Sequence, residues 1–153
     1  MFDAGLCGAK PELRVVNLGV SQDQEGGALQ RVEAWCIATA LIDATWIDAV
    51  EMQKHPLLKG PAAQLVQAVG SIAANVAEGY SRRSSRERIR FYEYALGSTE
   101  EARAWYRVGQ RAIGPQVHGS RGKELTSIRR LLLTMIRNER AGGSWNSTKR
   151  RGR

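Results

Sequence analysis

The stretch that decides the fold is SIAANVAEGY, residues 71–80. Its polar residues Ser71, Asn75 and Glu78 are four and three positions apart, so they share one face of a helix. The apolar residues of this region repeat with 4,3,4 spacing and form a separate seam: Leu65, Val69, Ile72 and Val76. We therefore predict a helix that packs on one side, offers hydrogen-bonding groups on the next, and ends just before Gly79.

Helical periodicity recurs on both sides of this stretch, and no strand pattern is present. It predicts four helices in all, at about residues 28–52, 60–78, 84–113 and 120–140. Proline suits the first turn of the second helix at Pro61. A Ser-x-x-Glu capping box at Ser84 and Glu87 opens the third.

The last two predicted helices each carry an inward seam. In the third it consists of apolar and small residues with alternating 4,3 spacing: Phe91, Ala95, Ser98, Ala102, Trp105, Gly109 and Ala112. In the fourth it is aliphatic: Leu125, Ile128, Leu132, Met135 and Ile136. Four helices joined by short connections predict an all-α fold, an antiparallel up-down four-helix bundle.

The chain divides into three segments around this predicted bundle. Residues 1–27 are rich in glycine and read as a flexible N-terminal segment, residues 28–141 form the bundle, and residues 142–153 read as a disordered basic tail. The first helix is apolar on more than one side, which predicts burial on more than one side. We therefore expect a homo-oligomer, most simply a closed ring.

Charge is the second informative feature. The 153-residue chain has a net charge of +8, and 18 of its 23 cationic residues are arginine. Residues 1–54 hold four Lys or Arg against eight Asp or Glu, whereas residues 55–153 hold nineteen against seven. Arginine is favoured where phosphate or carboxylate is bound through two parallel hydrogen bonds. The basic part therefore suggests a polyanionic partner, with a solvated, ion-paired surface as the structural alternative.

The cations concentrate in two sets. Five arginines fall within nine residues at the start of the third helix: Arg82, Arg83, Arg86, Arg88 and Arg90. A second set lies on the fourth helix: Arg121, Lys123, Arg129, Arg130 and Arg137. The N-terminus of a helix also favours anions. We predict that these residues, apart from Arg121, bind nucleic acid through phosphate and shape. Tyr80, Phe91 and Tyr92 are near enough to stack on bases, although core packing suits Phe91 better.

Catalytic and metal-binding patterns do not stand out. His55 adjoins a proline and His118 falls in the predicted loop 114–119, and neither has a ligand or triad partner at suitable spacing. Glu78 is the best candidate acid or base, but an ion-pairing role suits it better. Cys7 and Cys36 match no metal or redox spacing. We expect no enzymatic activity, no cofactor and no metal.

Targeting signals are also absent from the sequence. The N-terminal residues do not form a secretory signal, and no apolar run reaches transmembrane length. The two cysteines do not have the spacing of a disulfide framework, which is typical of a protein in a reducing compartment. The expected location is the cytoplasm, without membrane association.

Residues 71–80, together with Arg82 and the segment FYEYALGSTEE at 91–101, resemble a known family. It comprises the bacterial four-helix-bundle proteins encoded in intervening sequences of large-subunit rRNA, related to the accessory variability proteins of diversity-generating retroelements. The resemblance covers about residues 28–140. It implies a homopentamer of four-helix protomers without catalytic activity and, in the retroelement branch, binding to a reverse transcriptase and its RNA.

The resemblance also implies which residues are structural. The positions that match the family motif, and to which it assigns roles in helix and subunit contacts, are Ser71, Asn75, Glu78, Gly79, Gly97, Ser98 and Glu101. The leading hypothesis is a non-enzymatic, oligomeric, basic scaffold that binds RNA. The alternatives are a protein-interaction adaptor whose charge serves an acidic partner and, less favoured, a hydrolase built around Glu78.

Overall fold

The computed structural model describes residue 29 and residues 32–142. The predictions of a flexible segment at 1–27 and of a disordered tail beyond Gly142 lie outside these residues. The described chain contains no strand and four long helices, as expected: α1 Glu33–Gln53, α2 Lys59–Ser81, α3 Ser85–Ile113 and α4 Pro115–Arg140, with a short 3-10 helix at Pro56–Leu58. The sequence prediction of an all-α fold is confirmed.

All four helices contribute to one apolar core. Consecutive helices pack against each other along the chain, and α1 also contacts α4. The predicted α2 seam is fully buried, and Leu125, Ile128 and Leu132 of α4 are buried in the same core. These residues are placed by the 3.6-residue period, which keeps positions three and four apart on one side of a helix.

The end of α2 differs from the sequence prediction. Gly79 does not follow the helix but lies within it, and the helix continues to Ser81. A methyl group on Gly79 would lie 2.6 Å from Cε1 of Tyr92 and 3.1 Å from Cβ of Phe91. Gly79 is therefore required for the close approach of α2 to α3, and not for a left-handed turn at the helix end.

The buried face of α3 differs from the predicted seam at every second position, where the next residue in the sequence is buried instead of the predicted one. Ala95, Ala102 and Gly109 are buried as expected, but the alternating positions are Tyr92, Thr99 and Tyr106. The predicted Phe91, Ser98 and Trp105 are only partly buried. Tyr106 can occupy its interior position because its hydroxyl finds buried partners, which are described below.

The connection between α3 and α4 is a single residue. Gly114 has φ 82°, which favours glycine, and Pro115 already belongs to α4. The predicted loop 114–119 is therefore wrong, and His118 lies in the first turns of a helix. Ser84 caps α3 as predicted, because its Oγ accepts a hydrogen bond from the Glu87 amide at 3.2 Å. The Glu87 carboxylate accepts from the Ser84 hydroxyl at 2.8 Å and not from the Ser84 amide, as it would in a complete capping box.

Candidate nucleic-acid interface

The first basic set lies on the α2–α3 connection and the first two turns of α3. Arg83 and Arg86 are exposed, and within residues 32–142 neither makes an ion pair or side-chain hydrogen bond. Arg86 is in the first turn of α3, where the amide dipoles of the helix favour an anion. These two guanidinium groups are open to a ligand.

Arg82 is engaged with its own helix. Its guanidinium forms an ion pair with Glu78, one turn earlier, and lies over the ring of Phe91 at 5.1 Å from the ring centre. The side chains of Arg82 and Glu78 are 40% and 41% exposed. Solvent therefore screens the pair, and a phosphate group can compete with Glu78 for Arg82.

Arg90 belongs to an aromatic group on the outer side of α3. Its Nε donates a hydrogen bond to the Tyr94 hydroxyl at 3.0 Å. Its guanidinium lies over the rings of Tyr94 and Phe91, at 5.5 and 5.8 Å from their centres. Phe91 and Tyr94 contact edge to face, with ring centres 6.0 Å apart. Tyr94 is half exposed, whereas Tyr92, expected to be near enough to stack on bases, is only 4% exposed.

Arg88 is held inside the fold. Its Nε lies 3.1 Å from Oε1 of Glu139 in α4, and its Nη1 donates to the Arg82 carbonyl at 2.9 Å. Burial raises the pKa of the neighbouring Tyr92 to about 12, and the charge of Glu139 adds to the rise. Arg88 thus ties the start of α3 to the end of α4, and its side chain is less available than Arg83 or Arg86.

The second basic set forms an outward face of α4. Lys123, Arg130 and Arg137 are exposed at seven-residue intervals, and within the described chain their side chains form no ion pair. Arg129 instead pairs with Glu100 of α3 at 2.9 Å. Arg140 pairs with Glu93 near the start of α3 at 2.7 Å, which places the Arg137 end of this face close to the first basic set.

The residues of the family motif occupy α2 and the outer part of α3. Asn75 Nδ2 donates to the Ser71 carbonyl at 2.8 Å, a bond within the helix. Glu101 is exposed and accepts from Nε1 of Trp105 at 3.2 Å. Gly97 is exposed with nothing within 4 Å of where a methyl group would lie, and Ser98 is partly buried. Of the seven motif residues, Gly79 alone is buried.

A buried polar network joins α1, α3 and α4 and was missed by the sequence reasoning. Asp48 Oδ2 accepts hydrogen bonds from the Tyr106 hydroxyl at 2.9 Å and from Nε of Arg121 at 2.7 Å. Thr45 Oγ1 lies 2.8 Å from the same hydroxyl. The available signal was an aspartate in the apolar run of α1, because a buried carboxylate requires a cationic or hydrogen-bonding partner.

The pKa shifts within this network favour the protonation states that its hydrogen bonds require. Burial raises the pKa of Tyr106 above its ordinary value, so that the hydroxyl stays protonated and can donate to Asp48. The hydrogen bond from Arg121 to Asp48 raises the pKa of Arg121. Arg121 also lies near Glu124, at 3.4 Å. Arg121 is therefore a structural cation, unlike the exposed residues of the second basic set.

Two further properties concern the described residues as a whole. Between residues 32 and 142 no three His, Cys, Asp or Glu side chains are grouped closely enough to hold a metal ion. None of the four helices combines the length and apolar character needed to cross a membrane.

The helical architecture and the family-motif residues define a class of small all-α proteins with a basic surface. Residues 30–132 match the family described as 23S rRNA-intervening sequence protein, and the chain belongs to this family. The match covers all of α1 to α3 and most of α4. It confirms the family resemblance to the rRNA intervening-sequence proteins.

A solved structure supports the same fold. It is the crystal structure of a protein of unknown function from the S23 ribosomal protein family of Bacteroides thetaiotaomicron VPI-5482, 19% identical in sequence, with a TM-score of 0.62. The similarity covers 67% of this chain and 97% of that one. Because the sequence identity is this low, the similarity is evidence for the fold alone. No curated protein matches the chain significantly.

Proposed function

We propose that the protein is a non-enzymatic scaffold that binds nucleic acid, RNA in preference to DNA. The observation that carries this proposal is the pair Arg83 and Arg86, two exposed guanidinium groups at the N-terminus of α3 with no acidic partner in the described chain. Arg129 and Arg140, by contrast, are paired with carboxylates of α3, so their charge is already compensated within the fold.

Two further observations support RNA binding. Lys123, Arg130 and Arg137 add an outward line of cations on α4, and the ion pair between Arg140 and Glu93 brings its C-terminal end beside the start of α3. Phosphate neutralisation by such residues supplies sequence-independent affinity. The family is named for the 23S rRNA intervening sequences in which such proteins are encoded, and this association with an rRNA is the reason to test RNA before DNA.

Assembly forms the second part of the proposal. The proposed protomer is an antiparallel up-down four-helix bundle, and the proposed assembly is a ring-shaped homo-oligomer. The family resemblance suggests five subunits. It also makes a retroelement reverse transcriptase a candidate partner. The packing order of the helices supports the bundle. Trp46 and Ile47 of α1, exposed to 65% and 70%, support the oligomer because large apolar side chains grouped on a surface mark a contact site.

The test of RNA binding is its dependence on salt. Arg83→Ala/Arg86→Ala should weaken binding to a structured RNA at low salt and make the plot of log Kobs against log salt shallower by about 0.7 to 0.9 for each lost phosphate contact. The matched control is Arg107→Ala/Arg111→Ala, which removes the same charge from exposed positions at the other end of α3. The control should keep more affinity than the test variant.

The second basic surface needs a separate variant. Lys123→Ala/Arg130→Ala/Arg137→Ala should lower the salt slope further if the α4 face binds the same RNA. Unchanged affinity and slope in both basic-surface variants would contradict RNA binding by these residues. The adaptor alternative, favoured by the exposed apolar side chains of α1, would then stand in its place.

A further inference from the structure

The outer side of α3 places an exposed aromatic ring in line with Arg86, which has no ion-pair partner among the described residues, and with Arg90. Arg86, Arg90 and Tyr94 are spaced four residues apart and therefore lie one above the other along the helix. Tyr94 is 50% exposed, the most open of the tyrosines at 92, 94 and 106. The aromatic surface thus continues the basic surface that starts at Arg83.

The ring of Tyr94 is fixed in place although it is exposed. Phe91 contacts it edge to face at 6.0 Å and 88°. Arg90 donates to its hydroxyl, and the Arg90 guanidinium lies over one face of the ring, 5.5 Å from its centre, so a further planar group would add to this stack. An exposed side chain that is already ordered loses little conformational freedom on binding. A ring held in this way is a preformed surface for a planar group.

The chemistry of the ligand follows from the combination of ring and cations. Arginines alone would bind any polyphosphate, duplex or single strand, through charge. An open aromatic ring adds affinity only for a ligand that also presents a flat π-face, and a nucleobase presents one when it is unpaired and unstacked. The Arg90 guanidinium is also planar and can stack, which an ammonium group cannot.

We propose that Tyr94 and Arg90 form a stacking platform for unpaired nucleobases, so that the preferred ligand is single-stranded RNA or an RNA loop rather than a continuous duplex. The inference rests on the proposed function, since the phosphates next to the stacked base are held by Arg83 and Arg86. Tyr94 and Arg90 make the protein prefer RNA with unpaired bases, and Arg83 and Arg86 supply most of the salt-dependent part of the RNA affinity.

The experiment uses the full chain and three probes in fluorescence anisotropy: a labelled oligouridylate of about 20 nucleotides, longer than the usual single-strand site, an RNA duplex of the same length, and inorganic polyphosphate as competitor. The variants are Tyr94→Ala, Tyr94→Phe and Arg90→Lys. Val108→Ala is the control, because Val108 lies fourteen residues further along the same face and is 49% exposed.

We expect the parent to bind oligouridylate more tightly than the duplex. Tyr94→Ala should weaken oligouridylate binding by roughly 5- to 100-fold, the usual effect of losing one stacked base, without a change in salt slope. Tyr94→Phe should stay within about twofold of the parent because it keeps the ring. Arg90→Lys should weaken the oligouridylate more than it weakens polyphosphate, and Val108→Ala should resemble the parent.

The two proposals fail in different ways. If the parent binds both RNAs, but Tyr94→Ala binds oligouridylate as tightly as the parent, the platform is wrong and RNA binding stands. The platform is also wrong if Tyr94→Ala weakens polyphosphate and oligouridylate equally, because a stacking residue does not contact a ligand without bases. If the parent binds neither RNA, the proposed function itself is wrong and the platform falls with it.

Discussion

The packing of α2 against α3 at Gly79 leaves room for a hydrogen atom but not for a side chain. At Gly79, α2 lies so near α3 that the Tyr92 ring occupies the space of a side chain. Gly97, another glycine of the same family motif, faces open space. Two residues of one type in one motif therefore have different physical roles, and substitution by alanine distinguishes them.

Gly79→Ala should lower the free energy of unfolding by about 1 to 3 kcal/mol, the usual cost of an added methyl group in a packed interface. Gly97→Ala should leave stability unchanged or raise it by up to about 1 kcal/mol, because alanine favours a helix over glycine. Urea denaturation followed by circular dichroism measures both values. Equal stability of the two variants would contradict the close packing at Gly79.

Asp48 is the residue on which the buried network depends. Asp48→Ala removes the acceptor for Arg121 and Tyr106, whose side chains are largely enclosed. The Tyr106 hydroxyl is then left without its acceptor, and Arg121 keeps only Glu124, at 3.4 Å, so the expected loss of stability is about 2 to 3 kcal/mol. Asp43→Ala, in the same helix but exposed, should change stability by no more than about 0.5 kcal/mol.

Thermal denaturation of these two variants checks the difference. A further comparison is Arg121→Ala, which should destabilise to a similar extent because Asp48 is then the buried, unpaired group. If Asp48→Ala and Asp43→Ala melted together, the network would not contribute to stability.

Among the elements, the start of α3 links stability to the candidate site. The Ser84 hydroxyl caps the helix whose first turn carries Arg86. Ser84→Ala should cost about 1 kcal/mol and should speed hydrogen exchange at the Glu87 amide, which loses its acceptor. Ser85→Ala, one residue inside the helix, keeps the cap and should have little effect. Equal exchange at Glu87 in the two variants would contradict a stabilising cap.

The helices and their seams in α2 and α4 were predictable because apolar periodicity alone places them. The buried face of α3 was not predictable in this way, because a pattern of apolar residues favours Phe91 and Trp105 as core residues over Tyr92 and Tyr106. Tyr106 can be buried because its hydroxyl donates to Asp48 and forms a second hydrogen bond with the Thr45 hydroxyl, and both partners are distant in the sequence. Partners remote in sequence decide such cases, and a pattern within one helix does not contain them.

The candidate site was predictable only as a region. The sequence identifies a cluster of arginines, but Arg88 and Arg129 have carboxylate partners on other helices, Glu139 and Glu100. Only the fold shows that Arg83 and Arg86 remain open. The exposed ring of Tyr94 was overlooked for a related reason, because exposure depends on how α3 is rotated.

For the whole molecule, the main question is what covers the apolar side of α1. Trp46, Ile47 and Val50 are exposed to 65%, 70% and 50%, and Leu57 in the following 3-10 helix to 90%. The aromatic group of α3 lies on a different helix and is accompanied by arginines, whereas these side chains are not. The two surfaces therefore suit different partners: RNA for α3 and a second copy of this chain for α1.

The assembly proposal predicts that Ile47→Glu dissociates the oligomer, because it places a charge in an apolar contact. Sedimentation at micromolar concentration should show a multiple of 16.9 kDa for the parent and for the control Gln53→Glu, but 16.9 kDa for Ile47→Glu. RNA affinity should fall together with assembly, since a ring repeats the Arg83 and Arg86 surface and such multivalency can raise affinity by about 100-fold. A parent that sediments as a monomer would contradict both the ring and the avidity it provides.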